Sequence, residues 1–455
     1  MHSFSKPYHR QISLALISAI VLFGCIFPQI FIPLLFVLAF IFVGASLARF
    51  GDKDNWRPLY KIFLSGLFLR LLICMALAVV SYKIAGHPFF LGADDYGNGL
   101  MASELVRIWK ETGQLPLPKS LPWMLMAGDM TYAYALSRLY YFLGEYPLMP
   151  LFINCSFGAL SIILIYLIGK EIYNHKVGLG AAAFFTLWPS VVLWSTQNLK
   201  EALTIFLILA IFYCVIKLRN GGQILAHWAT ASFAFFLLMK IRTPIAFFIL
   251  FSLYFSLPFF AKQGRNRALF ILSFFTISAF FIIIIYYMIN KFTLELFDLT
   301  LNRFLASLQV MRINKMYAAE SFFLKDIDIS KPLNLLLNLP SFLAYIYFAP
   351  FPWQAIKPAR IFASVEMLIW AFFSLAALKG ILLSIRYKFK ESVTILIFLL
   401  IMTFVFVGEG NIGTLFRHRA FIWPFLFLMT STGLCYRFSG IKNLDTGPMN
   451  DNKKK

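Results

Sequence analysis

The sequence predicts an all-α, polytopic membrane protein of about twelve transmembrane helices, with two large extracytoplasmic loops bearing interfacial helices. Three observations lead there. The 455-residue chain is 60% hydrophobic and only 13% charged, about half the charged content of a soluble domain. Its apolar runs are continuous over about 17 to 23 residues, the length that crosses a hydrocarbon core of about 30 Å as helix, whereas barrel strands would alternate over shorter segments. Finally, the basic residues sort onto alternate loops.

Spans are expected near residues 11–27, 30–48, 62–84, 148–169, 177–195, 201–217, 223–239, 244–260, 268–289, 361–383, 392–408 and 420–436. Lys6 and Arg10 precede an apolar stretch over 12–48. That stretch is too long for the apolar core of a cleavable signal, about 7 to 15 residues. With Pro28-Gln29 near its middle, it reads as a retained hairpin over 1–50. A transmembrane core follows over 51–289 and contains a first outer loop, 85–147. A second outer loop covers 290–360, then C-terminal transmembrane helices over 361–438 and a cytoplasmic tail over 439–455. With the N-terminus inside, the inner segments hold more than half of the 41 Lys and Arg but under a third of the 20 acids. Short basic loops such as KLRNGG, KQGRNR and RYKFKES are those for which the positive-inside rule works. Both termini are then cytoplasmic.

This sorting also accounts for the net charge of +21 without a nucleic-acid partner. The five cysteines, Cys25, Cys74, Cys155, Cys214 and Cys435, all lie in apolar segments with no ligand spacing, as small packing residues do. The first outer loop contains GADDYGNGL, a helix expected over 99–112, the proline stretch QLPLPKSLPW and the amphipathic TYAYALSRLYYFLG. The second mixes LFDLTLNRFLASLQVMRINK with FAPFPW. Their aromatic content suits helices lying at the interface.

Charge within a bilayer costs about 2.5–3.5 kcal/mol per residue, so polar groups belong at span ends unless they have a function. Five clusters fall at the outer ends: Asp94 and Asp95; WSTQNLKE with Lys200 and Glu201; MKIRTP with Lys240 and Arg242; residues 350–353; and GEGNIGTLFRHR with Glu409, Asn411, Arg417, His418 and Arg419. Any one of these, Lys200–Glu201 above all, reads equally as a solvated helix end. FRHR runs against positive-inside bias, and an anion on that face would explain it, because arginine matches phosphate through a planar fork of donors. The two glycines of GNIG let backbone approach a ligand, but no Gly-x4-Gly-Lys-Ser/Thr phosphate loop is present. Within or near spans, Arg70 should face the bundle with a polar partner, Lys379 can snorkel, and Glu366 is as suited to structural pairing as to function.

Acids at one place and bases at several suit a reaction in which a carboxylate takes a proton while cations hold a phosphate leaving group. Adjacent carboxylates repel, which raises the pKa of one. Equally, Asp94 and Asp95 could hold a divalent metal through hard oxygen ligands.

The ordered parts resemble the GT-C superfamily of membrane glycosyltransferases, which includes protein O-mannosyltransferases and lipid A aminoarabinose transferases. The likeness runs over about 63–218, with weaker support over 338–424. It is carried by DDYGNGLMASELVRIWKETGQLPLP, by YALSRLYYFLG, by LIYLIGKEIYNHKVGLGAAAFF and by TLWPSVVLWSTQNLKEALTIFL. The resemblance implies inverting transfer of a hexose or pentose from a polyprenyl-phosphate donor to a lipid, glycan or protein acceptor on the extracytoplasmic face. A bacterial inner (plasma) membrane location goes with it. Carried over, Asp94 or Asp95 is the base, with Tyr96, Glu201 and Asn411 as further site residues. Lys200, Lys240, Arg242, Arg417, His418 and Arg419 would bind donor phosphate. In many relatives the Tyr follows the acids after two residues, whereas here Tyr96 follows directly and Asn98 takes that place. Which Asp acts is thereby left open.

Two other readings share these residues. A polysaccharide polymerase or ligase would use a diphosphate-linked glycan and rely on Arg417 and His418. A transporter or lipid flippase would place charges and broken helices at the midplane of repeated halves, and no repeat is visible.

Overall fold

The computed structural model describes residues 28–90, 93–114, 130–259, 301–317, 322–354 and 357–435. Among these the elements are helical, and the only extended pairing is an isolated bridge between Phe322 and Asn411. In chain order the α-helices are α1 (Pro28–Gly51), α2 (Trp56–Ala85), α3 (Ala93–Thr112), α4 (Met130–Leu143), α5 (Met149–Ile172), α6 (His175–Leu187), α7 (Pro189–Ser195) and α8 (Glu201–Arg219). Then come α9 (Ile224–Ile241), α10 (Thr243–Ser256), α11 (Leu301–Tyr317), α12 (Pro332–Phe348), α13 (Pro358–Tyr387), α14 (Phe389–Val407), α15 (Ile412–His418) and α16 (Trp423–Cys435).

Seven of these, α1, α2, α5, α8, α9, α13 and α14, are long and apolar enough to cross a membrane, and an eighth crossing is possible if the bent pair α6–α7 is one span. The expected count of twelve is therefore not what the described helices give. Two of the expected spans, 11–27 and 268–289, lie outside the described residues. The spans expected over 244–260 and 420–436 correspond to shorter apolar helices, Thr243–Phe259 and Trp423–Cys435.

The span expected over 177–195 is broken, with a bend of 64°. The cause is Pro189, which lacks an N–H and clashes with the preceding turn, holding Trp188 extended at φ −70°, ψ 121°. Backbone groups freed within a membrane need new partners. Here the buried Glu366 of α13 accepts the Ser190 N–H at 2.7 Å and the Ser190 hydroxyl at 2.6 Å.

The core centres on α5, which packs against α1, α2, α6 and α8 and has 89% of its apolar window buried. Arg70 of α2 is fully buried; it donates to the carbonyls of Gly66 and Phe185 and lies over the Phe185 ring. α13 and α16 cross closely at glycines: a Cβ on Gly380 would lie 1.8 Å from the Met429 carbonyl oxygen, and one on Gly433 would lie 1.9 Å from that of Ala376. Only small residues permit such backbone contact. α3 and α4 pack together through Ala102, Val106, Leu136 and Tyr140, forming a short layer over one end of the bundle.

Candidate functional site

α3 begins at Ala93, earlier than expected, so Asp94 and Asp95 occupy its first turn, where the helix dipole favours carboxylates. Consecutive helical residues point about 100° apart, and the two acids diverge accordingly. Asp95 is buried; its Oδ1 accepts the Asn198 N–H at 2.7 Å and its main-chain carbonyl accepts Asn198 Nδ2 at 3.0 Å. The Asp94 side chain is 70% exposed, and its Oδ2 accepts from Arg417 Nη1 at 2.5 Å.

The segment 196–200 between α7 and α8 leaves buried carbonyls that need partners. Asn154 Nδ2 donates to those of Gln197 and Leu199 at 2.6 and 2.7 Å, and Asn98 Nδ2 donates to that of Asn198 at 3.0 Å. Tyr132 of α4 donates its hydroxyl to Asn198 Oδ1 at 3.0 Å. Burial raises the Tyr132 hydroxyl above its usual range, so it keeps the proton it donates. This satisfied network fixes α3 and α4 to the start of α8.

Glu201, the first residue of α8, is fully buried; its Oε1 accepts from Arg242 Nη2 at 2.7 Å and from Arg417 Nε at 2.8 Å. Arg242 sits at the break between α9 and α10, at φ −146° and ψ 69°. Arg417, at the end of α15, uses two edges of its guanidinium to join Glu201 and Asp94. Burial opposes its charge, but Glu201 and Asp94 outweigh that and hold it above the usual arginine value. The half-buried Lys200 has its Nζ 3.5 Å from the Ile241 carbonyl oxygen. Burial first, then Arg242 and Arg417, push it down to about 8 against the pull of Glu201 and Asp94. Three cations thus meet two carboxylates, an excess of positive charge beside an accessible acid.

A second layer supports them. His418 Nδ1 is 2.9 Å from Glu409 Oε1, Lys315 Nζ of α11 is 2.8 Å from the same oxygen, and Arg242 Nη1 lies 3.5 Å from His418 Nε2. An arginine cannot accept, so Nε2 is the acceptor and Nδ1 carries the proton given to Glu409. Burial lowers the His418 pKa, opposed by Glu409 and helped by Arg242, which favours this neutral form. Glu409 stays below its usual value: burial raises it, but His418 and Lys315 prevail. Asn411 caps α15, accepting the Gly413 N–H at 2.8 Å.

The structure therefore brings together Asp94, Lys200, Glu201, Arg242, Arg417 and His418, with Asp95 behind them. It does not bring in Lys240, whose exposed ammonium lies 5.7 Å from the Phe236 ring centre. Arg419 is fully buried and donates to the carbonyls of Ala349 and Tyr345, holding the proline-aromatic element. Tyr96 stacks on His87 with ring centres 4.1 Å apart. Sequence reasoning overlooked Asn154, Asn198, Tyr132 and Lys315. For Asn154 a signal was present: a lone amide in the apolar run MPLFINCS is costly in a membrane unless partnered.

Among the described residues no group of three or more His, Cys, Asp or Glu is gathered that could hold a metal ion. Asp94 and Asp95 turn to different partners, Arg417 and the Asn198 amide, so this donor set does not fit a cation shared by the pair.

No family model and no curated protein matches the chain. Among solved structures it is similar to the apo-form crystal structure of the Archaeoglobus fulgidus oligosaccharyltransferase, with a TM-score of 0.45 and 15% identity over 84% of this chain and 50% of that one. The chain thus spans about half the length of that protein. Function is accordingly read from the site's own residues.

Proposed function

We propose that the protein is a GT-C-type glycosyltransferase that moves a sugar from a polyprenyl-phosphate donor to an acceptor hydroxyl on the extracytoplasmic side of the membrane. The observation that carries this reading is Arg417 joining the exposed Asp94 to the buried Glu201, with Arg242 and Lys200 alongside. Asp94, rather than the buried Asp95, is the general base. The acceptor oxygen forms a bond to the anomeric carbon as the bond from that carbon to the phosphate oxygen breaks. The proton passes to Asp94, the electron pair stays on the departing polyprenyl phosphate, and the anomeric configuration inverts. Arg417, Arg242 and Lys200 stabilise charge as it grows on that leaving oxygen. Glu201 keeps the two guanidinium groups aimed, and Asp95 holds α3 in place through Asn198.

Three converging cations also suit a diphosphate-linked glycan, as a polymerase or ligase would use. The broken α6–α7 pair is a feature that a transporter would share. The test is sugar transfer by purified protein supplied with polyprenyl-phosphate sugars and membrane extract as acceptor. Asp94→Asn should lower transfer by about 10²–10⁴-fold, the usual share of a general base, with insertion into the membrane unchanged. Full activity in Asp94→Asn defeats the base assignment, and lipid flipping without sugar transfer defeats the enzyme.

A further inference from the structure

Starting directly after the acids, α3 presents Tyr96, Gly99, Leu100 and Ser103 to a cavity of about 210 Å³ closed by Phe89, Tyr140, Glu145 and Pro147. The spacing of 3, 4 and 7 residues from Tyr96 puts these α3 positions on one helical face. With about 1.5 Å of rise and about 100° of turn per residue, the cavity runs from about 3 to about 13 Å along the axis from Asp94, on a face turned about 180° around the helix from that residue. Its inner wall adjoins the network behind Asp95: a Cβ on Gly99 would lie 2.8 Å from the Phe89 ring and 3.5 Å from Asn198 Nδ2. Glycine at that position lets Phe89 close the cavity.

The lining chemistry is selective. Tyr96 is backed by the His87 ring, and Phe89 lies 6.3 Å from it at 47°, so two aromatic faces meet at an angle. The lining also includes Ser103 and Glu145, whose side chain is 41% exposed and whose nearest described cation, Lys110, is 3.9 Å away. Among the described lining residues there is a carboxylate and no lysine or arginine, which disfavours phosphate. Aromatic faces that take C–H groups, with a carboxylate and a hydroxyl among the lining residues to take O–H groups, match a neutral sugar ring. Apolar walls with a few placed polar groups are the usual form of such sites.

We propose that this cavity is an acceptor subsite for a neutral saccharide unit, so that the acceptor is a glycan rather than a bare peptide or lipid hydroxyl. Its role as acceptor site rests on the glycosyltransferase reading; its affinity for sugar does not. The cations around Glu201 hold the donor phosphate beside Asp94, and the cavity, on the far face of α3, holds a ring further along the acceptor chain than the one that reacts.

The experiment is saturation-transfer NMR on the full chain in a detergent without a sugar headgroup, using methyl glycosides of glucose, galactose, mannose and N-acetylglucosamine. At least one glycoside should receive saturation at its ring protons. Its affinity should fall about tenfold in both Tyr96→Ala and Glu145→Gln, the equivalent of about 1.4 kcal/mol, and stay unchanged in Lys240→Gln, whose side chain lies outside both the cluster and the cavity. Glu145→Gln is a conservative surface change and remains informative should Tyr96→Ala fail to fold. Saturation of no glycoside, or binding indifferent to Glu145→Gln, overturns the subsite. A peptide or a detergent chain that alone receives saturation overturns it too. Glycoside binding of the expected pattern in a protein that transfers no sugar upholds the cavity and removes the enzyme reading. Sugar transfer indifferent to both pocket variants does the reverse.

Discussion

Replacing Arg417 with lysine tests whether the guanidinium fork, and not merely a positive charge, organises the site. Arg417 reaches Glu201 through Nε at 2.8 Å and Asp94 through Nη1 at 2.5 Å. A lysine ammonium is a single point of charge and cannot hold both acids in that geometry. The Glu201 contact is buried, and a hydrogen bond to a charged group contributes about 1.5–3 kcal/mol. The Asp94 contact faces water on the acid's side, and exposed pairs contribute only about 0–1 kcal/mol. Arg242 still neutralises Glu201, so the loss of stability should be about 2–3 kcal/mol, set almost wholly by the buried contact. On the proposed mechanism transfer should fall further than stability suggests, by about 10²–10³-fold, because Arg417 would there be a donor to the leaving oxygen. Thermal unfolding in detergent reads the first quantity and kcat/KM for sugar transfer reads the second. Arg417→Lys should therefore behave almost as badly as Arg417→Gln. A lysine variant with wild-type kcat/KM would refute the two-edged role of the guanidinium.

Further outcomes follow from burial and close contact. Because Lys200 is held down to about 8, it is cationic below that pH and neutral above. The kcat/KM for an anionic donor should then decline as pH rises through about 8, and Lys200→Arg should move the alkaline limb upward; an unmoved limb would exclude Lys200 as its source. Gly380→Ala should lower the unfolding midpoint, since its new Cβ would meet the Met429 carbonyl oxygen at 1.8 Å and overpacking costs about 1–3 kcal/mol. Gly97→Ala, with nothing within 4 Å, should leave the midpoint equal or slightly higher; equal losses in both variants would argue against the close α13–α16 crossing.

Much of this protein was legible in one dimension because lipid imposes a one-dimensional rule. Continuous apolar runs of sufficient length must be helices, since backbone groups have no other partner in hydrocarbon. Hence α1, α2, α5, α8, α9, α13 and α14 fall close to their expected positions. The span over 177–195 broke at a proline that was in plain view, because hydropathy is blind to a missing N–H. Polar residues at span ends were visible for the same reason as the spans, since charge is excluded elsewhere.

Composition and the length of apolar runs by themselves determined a helical membrane protein with polar clusters at its helix ends, for burial and backbone satisfaction depend on local sequence. Only the tertiary structure decided which clusters meet. Arg417 and Asp94 are 323 residues apart in the chain, and Arg417 and Glu201 are 216 apart. The rotation of each helix about its own axis then separates residues that look equivalent: Asp94 toward solvent and Arg417, Asp95 inward to Asn198; Arg417 into the cluster, Arg419 away from it toward the Tyr345 and Ala349 carbonyls. A helical period fixes which residues share a face, whereas the direction that face takes is set by the helices packed against it.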